Sequence, residues 1–284
     1  MKVDAPAPRT AHAAQVPAGP PPGPAAVDVE RLGRTFEGTG GTVVAVADVS
    51  FRVAPGEFVA LVGPSGCGKS TLLHMIAGLL RPSSGEIRIF GTPSTGLQPG
   101  RIGYVFQGDA LLPWKTALDN VALPLVLRGV PPARARQDAR DWMHRVGLAG
   151  FEHHYPSQLS GGMRKRVALA MTMVYRPAII LMDEPFGALD VQTRNLMENE
   201  LLALWAQTRS TILFVTHDLE EAIALSDRVI VLTRRPGRVK ATYPVELARP
   251  RDVTEVRGSE AFVAIYRRIW ADLRDEVTAA HARG

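Results

Sequence analysis

The nine residues Gly63-Pro64-Ser65-Gly66-Cys67-Gly68-Lys69-Ser70-Thr71 carry the densest chemistry in the chain and fit the pattern G-x-x-x-x-G-K-[ST]. Glycines in such a loop let successive backbone N–H groups wrap phosphate oxygens at a helix N-terminus, where the helix dipole also favours negative charge. Lys69 then reaches the outer phosphates, and the Ser70 hydroxyl is placed to ligate Mg²⁺. The mechanism requires a strand before the loop and a helix after it. Residues 57–62 (EFVALV) read as a short buried strand and 72–80 (LLHMIAGLL) as an apolar helix, so the pattern predicts a nucleoside triphosphate site.

A phosphate-binding loop alone leaves kinases, GTPases, helicases and transport ATPases open. A second group narrows the choice: the apolar run 178–182 (AIILM) reads as a strand that ends in Asp183-Glu184. An aspartate there can hold Mg²⁺ beside Ser70, and the adjacent glutamate can accept a proton from an attacking water or orient it.

Leu159-Ser160-Gly161-Gly162-Met163 stands shortly before Asp183, and with it the chain resembles the ATP-binding subunits of ABC transporters. Further matches follow in order. Phe36 falls where the family keeps an adenine-stacking aromatic, and Gln107 matches the glutamine that joins the Mg²⁺ and water chemistry. Asp183 and Glu184 match the acidic pair, Gly187-Ala188-Leu189-Asp190 the loop that follows it, and Thr216-His217-Asp218 the switch-histidine segment. The resemblance covers about residues 27–250. It implies a P-loop NTPase α/β fold with a mainly parallel core sheet, an antiparallel β layer at the N-terminus and an inserted helical subdomain. It also implies ATP and Mg²⁺ as ligands, with Glu184, His217 and Gln107 as catalytic residues. Ser160, Gly161 and Gly162 at a helix start make a second anion cradle. Since the loop 63–71 already occupies one side of the nucleotide, this cradle serves ATP on another subunit, and two chains face head to tail. His217 supplies an N–H donor near the transferred phosphate.

The elements that must position these residues can be read from periodicity. Strands are expected at 27–36, 42–53, 57–62, 86–90, 102–106, 178–182, 211–216 and 229–233. Between 109 and 157 the spacing is helical, with runs at 118–127 and 134–146; the arginines of the second run form a solvated helix face. Strands alternating with helices imply a mainly parallel sheet covered on both faces. The chain therefore divides into a Pro/Ala-rich tail (1–26) expected to be disordered, an ATP-binding domain (27–255) with a helical subdomain at about 109–175, and a C-terminal helical extension (256–284). In the extension Phe262, Ile265, Tyr266, Ile269, Trp270, Leu273 and Val277 share one helical stripe, the pattern of a helix that caps its own domain or, as the second reading, makes a dimer or regulatory contact.

Composition bounds the rest. With 46% apolar and 21% charged residues the 284-residue chain is an ordinary globular protein with ample core. No apolar run nears the ~18 residues that span a bilayer, so a membrane role is peripheral. One cysteine excludes an internal disulfide, and a net charge of +5 is too mild to call for nucleic acid. Cys67 reads as a small residue tolerated in a tight loop, and His153-His154 lack the spacing of a metal site.

Met163 replaces the glutamine usual at the end of the signature, and Met171 stands where the family often has arginine. Met163, Leu112-Pro113-Trp114 and Arg235-Pro236-Gly237-Arg238 together resemble the nitrate, aliphatic sulfonate and taurine importer subfamily. That likeness implies work at the cytoplasmic face of the inner membrane, with two permease subunits and, indirectly, a substrate-binding protein. Trp114 either meets the permease or packs within the helical subdomain. ABC proteins that act on ribosomes or DNA are the second class; they usually carry two modules or long coiled coils, and this chain has one module and no sustained heptads.

Overall fold

The computed structural model describes residues 24–38, 41–187 and 189–281, with side chains up to residue 276. Most of the tail read as disordered, Ala188 and the side chain of Val277 lie outside the described residues. Strands β1 (Val27–Gly38) and β2 (Gly41–Val53) form a hairpin, and β3 (Phe58–Val62) leads through the loop 63–68 into helix α1 (Lys69–Ile76). Then come β4 (Ser84–Ile89), the two-residue β5 (Thr92–Pro93) and β6 (Ile102–Val105). Helices α2 (Ala117–Val126), α3 (Pro132–Arg145) and α4 (Gly161–Met173) follow without an intervening strand. The chain continues as β7 (Ile179–Asp183), α5 (Val191–Thr208), β8 (Thr211–Val215), α6 (Leu219–Leu225), β9 (Arg228–Leu232) and β10 (Val239–Pro244). It closes with α7 (Val253–Arg257) and α8 (Glu260–His281).

Two sheets result. The outer sheet, β2-β1-β4-β5, is antiparallel throughout; the core sheet runs β10-β9-β3-β8-β7-β6 and is parallel except for its edge strand β10. Every residue of β3, β7 and β8 is buried, as expected of strands covered on both faces. Side chains alternate between those faces. Val59, Leu61, Leu181, Leu213 and Val215 pack with α1 and the outer sheet, while Phe58, Ala60, Met182, Ile212 and Phe214 pack with the helices opposite. Phe58 meets Phe214 and Trp205 edge-on, at centroid distances of 6.1 and 5.8 Å.

Local chemistry sets several boundaries. The helix expected to 80 stops at Ile76, because Gly78 turns to φ +75° and a Cβ there would lie 2.2 Å from the Gly96 carbonyl oxygen. Thr116, Ser160, Asp190 and Asp218 cap α2, α4, α5 and α6, each side chain accepting from the first turn. On α3 the apolar face (Ala135, Ala139, Trp142, Met143) is buried, and Arg134 and Arg136 pair outside with Asp138 and Asp119. Helix α8 buries Phe262, Ile269 and Leu273 in its own domain while Trp270 stays exposed. Among the described residues no helix is long and apolar enough to cross a membrane.

Candidate functional site

The strand order β3-β8-β7-β6 brings four chain reversals side by side at the carboxyl edge of the core sheet, the edge where open α/β sheets bind ligands. They carry the loop 63–68, His217, Asp183 with Glu184, and Gln107. The phosphate-type loop is shaped by its glycines. Gly66 has φ +73°; Gly68, the N-cap of α1, has φ +101°, and a Cβ on it would lie 2.7 Å from Val46 Cγ2 and 2.9 Å from the Ala45 oxygen. The first N–H groups of α1 thus open onto a concave turn.

Lys69 is buried and folds back over this turn, its Nζ donating to the carbonyl oxygens of Gly63 (2.8 Å) and Pro64 (3.1 Å). Among the described residues no carboxylate pairs with it. A buried ammonium held only by carbonyls leaves positive charge at the loop for an incoming anion. Cys67 is 1% exposed, and burial pushes its thiol above the usual range, so it packs as a small apolar side chain.

Next to the loop, Ser70 Oγ donates to Asp183 Oδ1 (3.0 Å) and the Tyr104 hydroxyl donates to Oδ2 (3.4 Å). Burial first, and then the Asp183 charge, pushes the Tyr104 phenol far above its ordinary range, so it stays protonated as a donor. A serine hydroxyl and a carboxylate at this spacing are hard oxygen donors of the kind that Mg²⁺ takes alongside phosphate oxygens and water. The residues present therefore fit the dication.

Glu184 follows directly, with its backbone in the left-handed region at φ +44°. A non-glycine residue rarely adopts this conformation without cost. Its N–H donates to the Val215 oxygen (2.9 Å) on β8, which ties the turn to the strand carrying His217. The carboxylate is shared: Gln107 Nε2 donates to Oε2 at 3.3 Å, and His217 Nδ1 lies 3.2 Å from the same oxygen. Acid, amide and imidazole thus converge beside the loop and Asp183.

Ser160, Gly161, Gly162 and Asp190 are placed elsewhere. Ser160 Oγ accepts from Met163 N (3.2 Å), and Asp190 Oδ1 from Thr193 N (3.0 Å), a backbone contact that lowers the Asp190 carboxyl. A Cβ on Gly162 would lie 2.8 Å from Thr193 Cγ2, so these two helix starts pack together. Among the described residues, no hydrogen bond joins either of them to the loop 63–71. Phe36, 38% exposed with the Arg34 guanidinium 4.6 Å from its ring centre, lies on the hairpin whose β2 strand presses Ala45 and Val46 against Gly68.

Three partners escape a reading of the sequence. One is Tyr104. A second is Asp109, whose carboxylate binds Arg164 (2.8 Å) and Lys165 (3.3 Å), joining the Gln107 loop to α4. The third is Arg194, which donates to Leu189 O (3.1 Å) and pairs with Asp218 (3.3 Å) and Glu221 (3.5 Å), linking the Asp190 loop to the His217 segment.

The model of the family described as ABC transporter matches residues 46–187. A relative from Methanocaldococcus jannaschii, named an uncharacterized ABC transporter ATP-binding protein, is 47% identical over 249 residues, 88% of this chain and 91% of its own length. The chain belongs to the ABC transporter family. Among its ABC relatives, a taurine import ATP-binding protein of Yersinia pestis is 47% identical over 195 residues, 69% of this chain and 76% of that one. An aliphatic sulfonates import ATP-binding protein of Bacillus cereus is 39% identical over 244 residues, covering 86% and 94%. A solved ATP-binding cassette, described as a dimer in a post-hydrolysis state bound to ADP and Pi, superposes with a TM-score of 0.71 at 32% identity. It covers 78% of this chain and all of its own. The protein is an ABC-type ATPase with the P-loop NTPase fold.

Proposed function

We propose that this ABC ATPase energises uptake of a small anionic solute of the nitrate, sulfonate or taurine type. Two copies close head to tail on ATP and move two permease subunits at the cytoplasmic face of the membrane, and a separate binding protein selects the solute. The observation that carries the reading is the divided site. Within one chain the loop 63–71 has its acid, amide and imidazole beside it, while the cradle at Ser160, Gly161 and Gly162 has no phosphate loop to serve. A second copy turned end for end supplies the missing partner to both. The names of the taurine and sulfonate relatives support the solute class. Trp114, 70% exposed between β6 and α2, supports docking of the permease on the helical subdomain, since packing within that subdomain would have covered it.

In this reading the backbone of 63–71 and Lys69 hold the triphosphate, with Phe36 against the adenine and Asp190 at the copy-to-copy seam. Ser70, Asp183 and Gln107 would hold Mg²⁺. The ion supplies charge neutralisation at the phosphates when bound. Glu184 accepts the proton of the attacking water or orients it, and His217 donates an N–H toward the developing charge.

Glu184→Gln keeps the shape of the side chain but removes the proton acceptor. We expect ATP binding to persist, turnover to fall by about 10³-fold, and an ATP-dependent dimer to accumulate in size-exclusion chromatography with light scattering. A variant that stays monomeric at saturating ATP would sink the two-copy site. Purification of the tagged chain from native membranes should bring down two permease subunits; recovery with ribosomes instead would overturn the transport reading.

A further inference from the structure

The segment Arg235-Pro236-Gly237-Arg238, which marked the subfamily, lies against the phosphate loop itself. Gly237 N–H donates to Ala45 O (2.9 Å), and Gly237 O accepts from Ala47 N–H (3.0 Å). A Cβ on Gly237 would come within 2.2 Å of the Cys67 oxygen, so only glycine allows this approach. Two residues earlier on the same stretch, Arg235 Nε donates to Gly66 O (3.3 Å). The back of the loop 63–68 thus rests on the segment 234–238.

That segment is held in turn by the C-terminal helix. Glu276 Oε2 accepts the backbone N–H of Arg234 (2.9 Å), and its Oε1 accepts from Lys240 Nζ (3.0 Å). Lys240 Nζ also donates to Asp272 O (2.9 Å), and Tyr243 donates to the Asp272 carboxylate, so α8 is stitched to β10 at Glu276 and one turn before it. Phe262, Ile269 and Leu273 anchor the helix in the core. The Glu276 side chain is largely buried at 16% exposure, where a charge-assisted hydrogen bond counts for more than at the surface.

We propose that Glu276 is a positioning residue for the phosphate loop. Through it, α8 fixes the segment 234–238 behind Gly66 and Cys67 and so sets the affinity for the triphosphate. A helix that serves only as a lid on its domain would need the apolar stripe and no carboxylate aimed at a backbone N–H beside the nucleotide loop. The inference rests on 63–71 being the nucleotide loop, which Lys69→Ala tests separately.

Cys67 gives the experiment a direct readout, since it is the chain's one cysteine and lies under the contact. In the full-length protein, Glu276→Ala should raise KM for ATP about tenfold, a change of about 1.4 kcal/mol, with kcat at saturating ATP within twofold of the parent. Its Cys67 should react with N-ethylmaleimide several times faster without nucleotide, and saturating ATP should slow it again. Glu276→Gln keeps an acceptor for Arg234 N–H and should stay within about threefold of the parent in KM and in labelling rate. Unchanged KM and labelling in Glu276→Ala, with only a lower Tm, would overturn the proposal. If the alanine variant does not fold, Arg235→Ala, at an exposed side chain, takes its place and should raise KM and the labelling rate two- to threefold. No change in either quantity would count against the proposal. Loss of ATP binding in Lys69→Ala alongside an unaffected Glu276→Ala would remove the positioning role and leave the nucleotide site standing.

Discussion

At the strand edge the reactive side chains already hold one another: Ser70 and Tyr104 on Asp183, Gln107 and His217 on Glu184, Lys69 on its own loop. At the start of α4, Ser160 holds only its own helix, and at the start of α5 Asp190 does the same. The first region is a set of polar groups preorganised for charge that will arrive. The second is a pair of capped helix starts whose dipole faces outward. On the proposed reading, the difference teaches which part of the site one chain completes and which part it offers to another. The two regions are also wired together, by Asp109 to α4 and by Arg194 from α5 to the His217 segment. A change at one can therefore be felt at the other.

The largest effect that would break this comparison comes from mixing two dead variants. Lys69→Ala should lower triphosphate affinity by about two orders of magnitude through loss of a charged donor. Ser160→Arg should leave ATP binding intact but disable the half-site that the chain offers to its partner. Each alone should lack turnover, yet an equimolar mixture should regain about a quarter of the parental rate, because mixed pairs keep one site with both halves sound. A self-contained site in each chain would give no recovery at all.

A smaller effect sharpens the strand-edge half. Tyr104→Phe removes one hydrogen bond to Asp183 and leaves the ring stack with His74 and Phe106 in place. The Mg²⁺ concentration for half-maximal turnover should rise about three- to tenfold, as the loss of one such bond would give. No change in the Mg²⁺ curve would mean that Ser70 alone suffices to orient the aspartate.

The smallest effect concerns the helix that Asp190 begins. Glu198 on α5 is fully buried; desolvation outweighs its Arg257 partner, and its carboxyl is pushed up to about 7. Because the folded value lies above the ordinary one of 4.5, the folded state binds more protons between the two. Stability from this group is therefore highest below about pH 4.5 and declines as pH rises toward 7. Glu198→Gln should flatten that part of the Tm–pH curve between pH 5 and 7. An unaltered slope would show that the Arg257 pair keeps Glu198 ionised throughout.

Much of the strand-edge half was legible in the sequence because it depends on short-range rules. Glycine spacing, an apolar run ending in two acids, and β-branched residues at period two each act within a few residues. The strand β10 was not, since its residues are mostly half-buried at a sheet edge and carry weak alternation. Nor were Tyr104, Asp109 and Arg194, whose partners lie 79, 55 and 24 residues away along the chain. Trp114 read equally well as packing or as docking, and the sequence carries no sign of its 70% exposure.

The left-handed backbone at Glu184 has one more consequence. Glycine, or asparagine to a lesser degree, would sit there with less strain. On the proposed reading, a chain that lost its proton acceptor at this position would then fold more durably than the working one. Activity and robustness would then pull against each other at a single residue, and a screen for heat resistance alone would tend to select variants without ATPase activity.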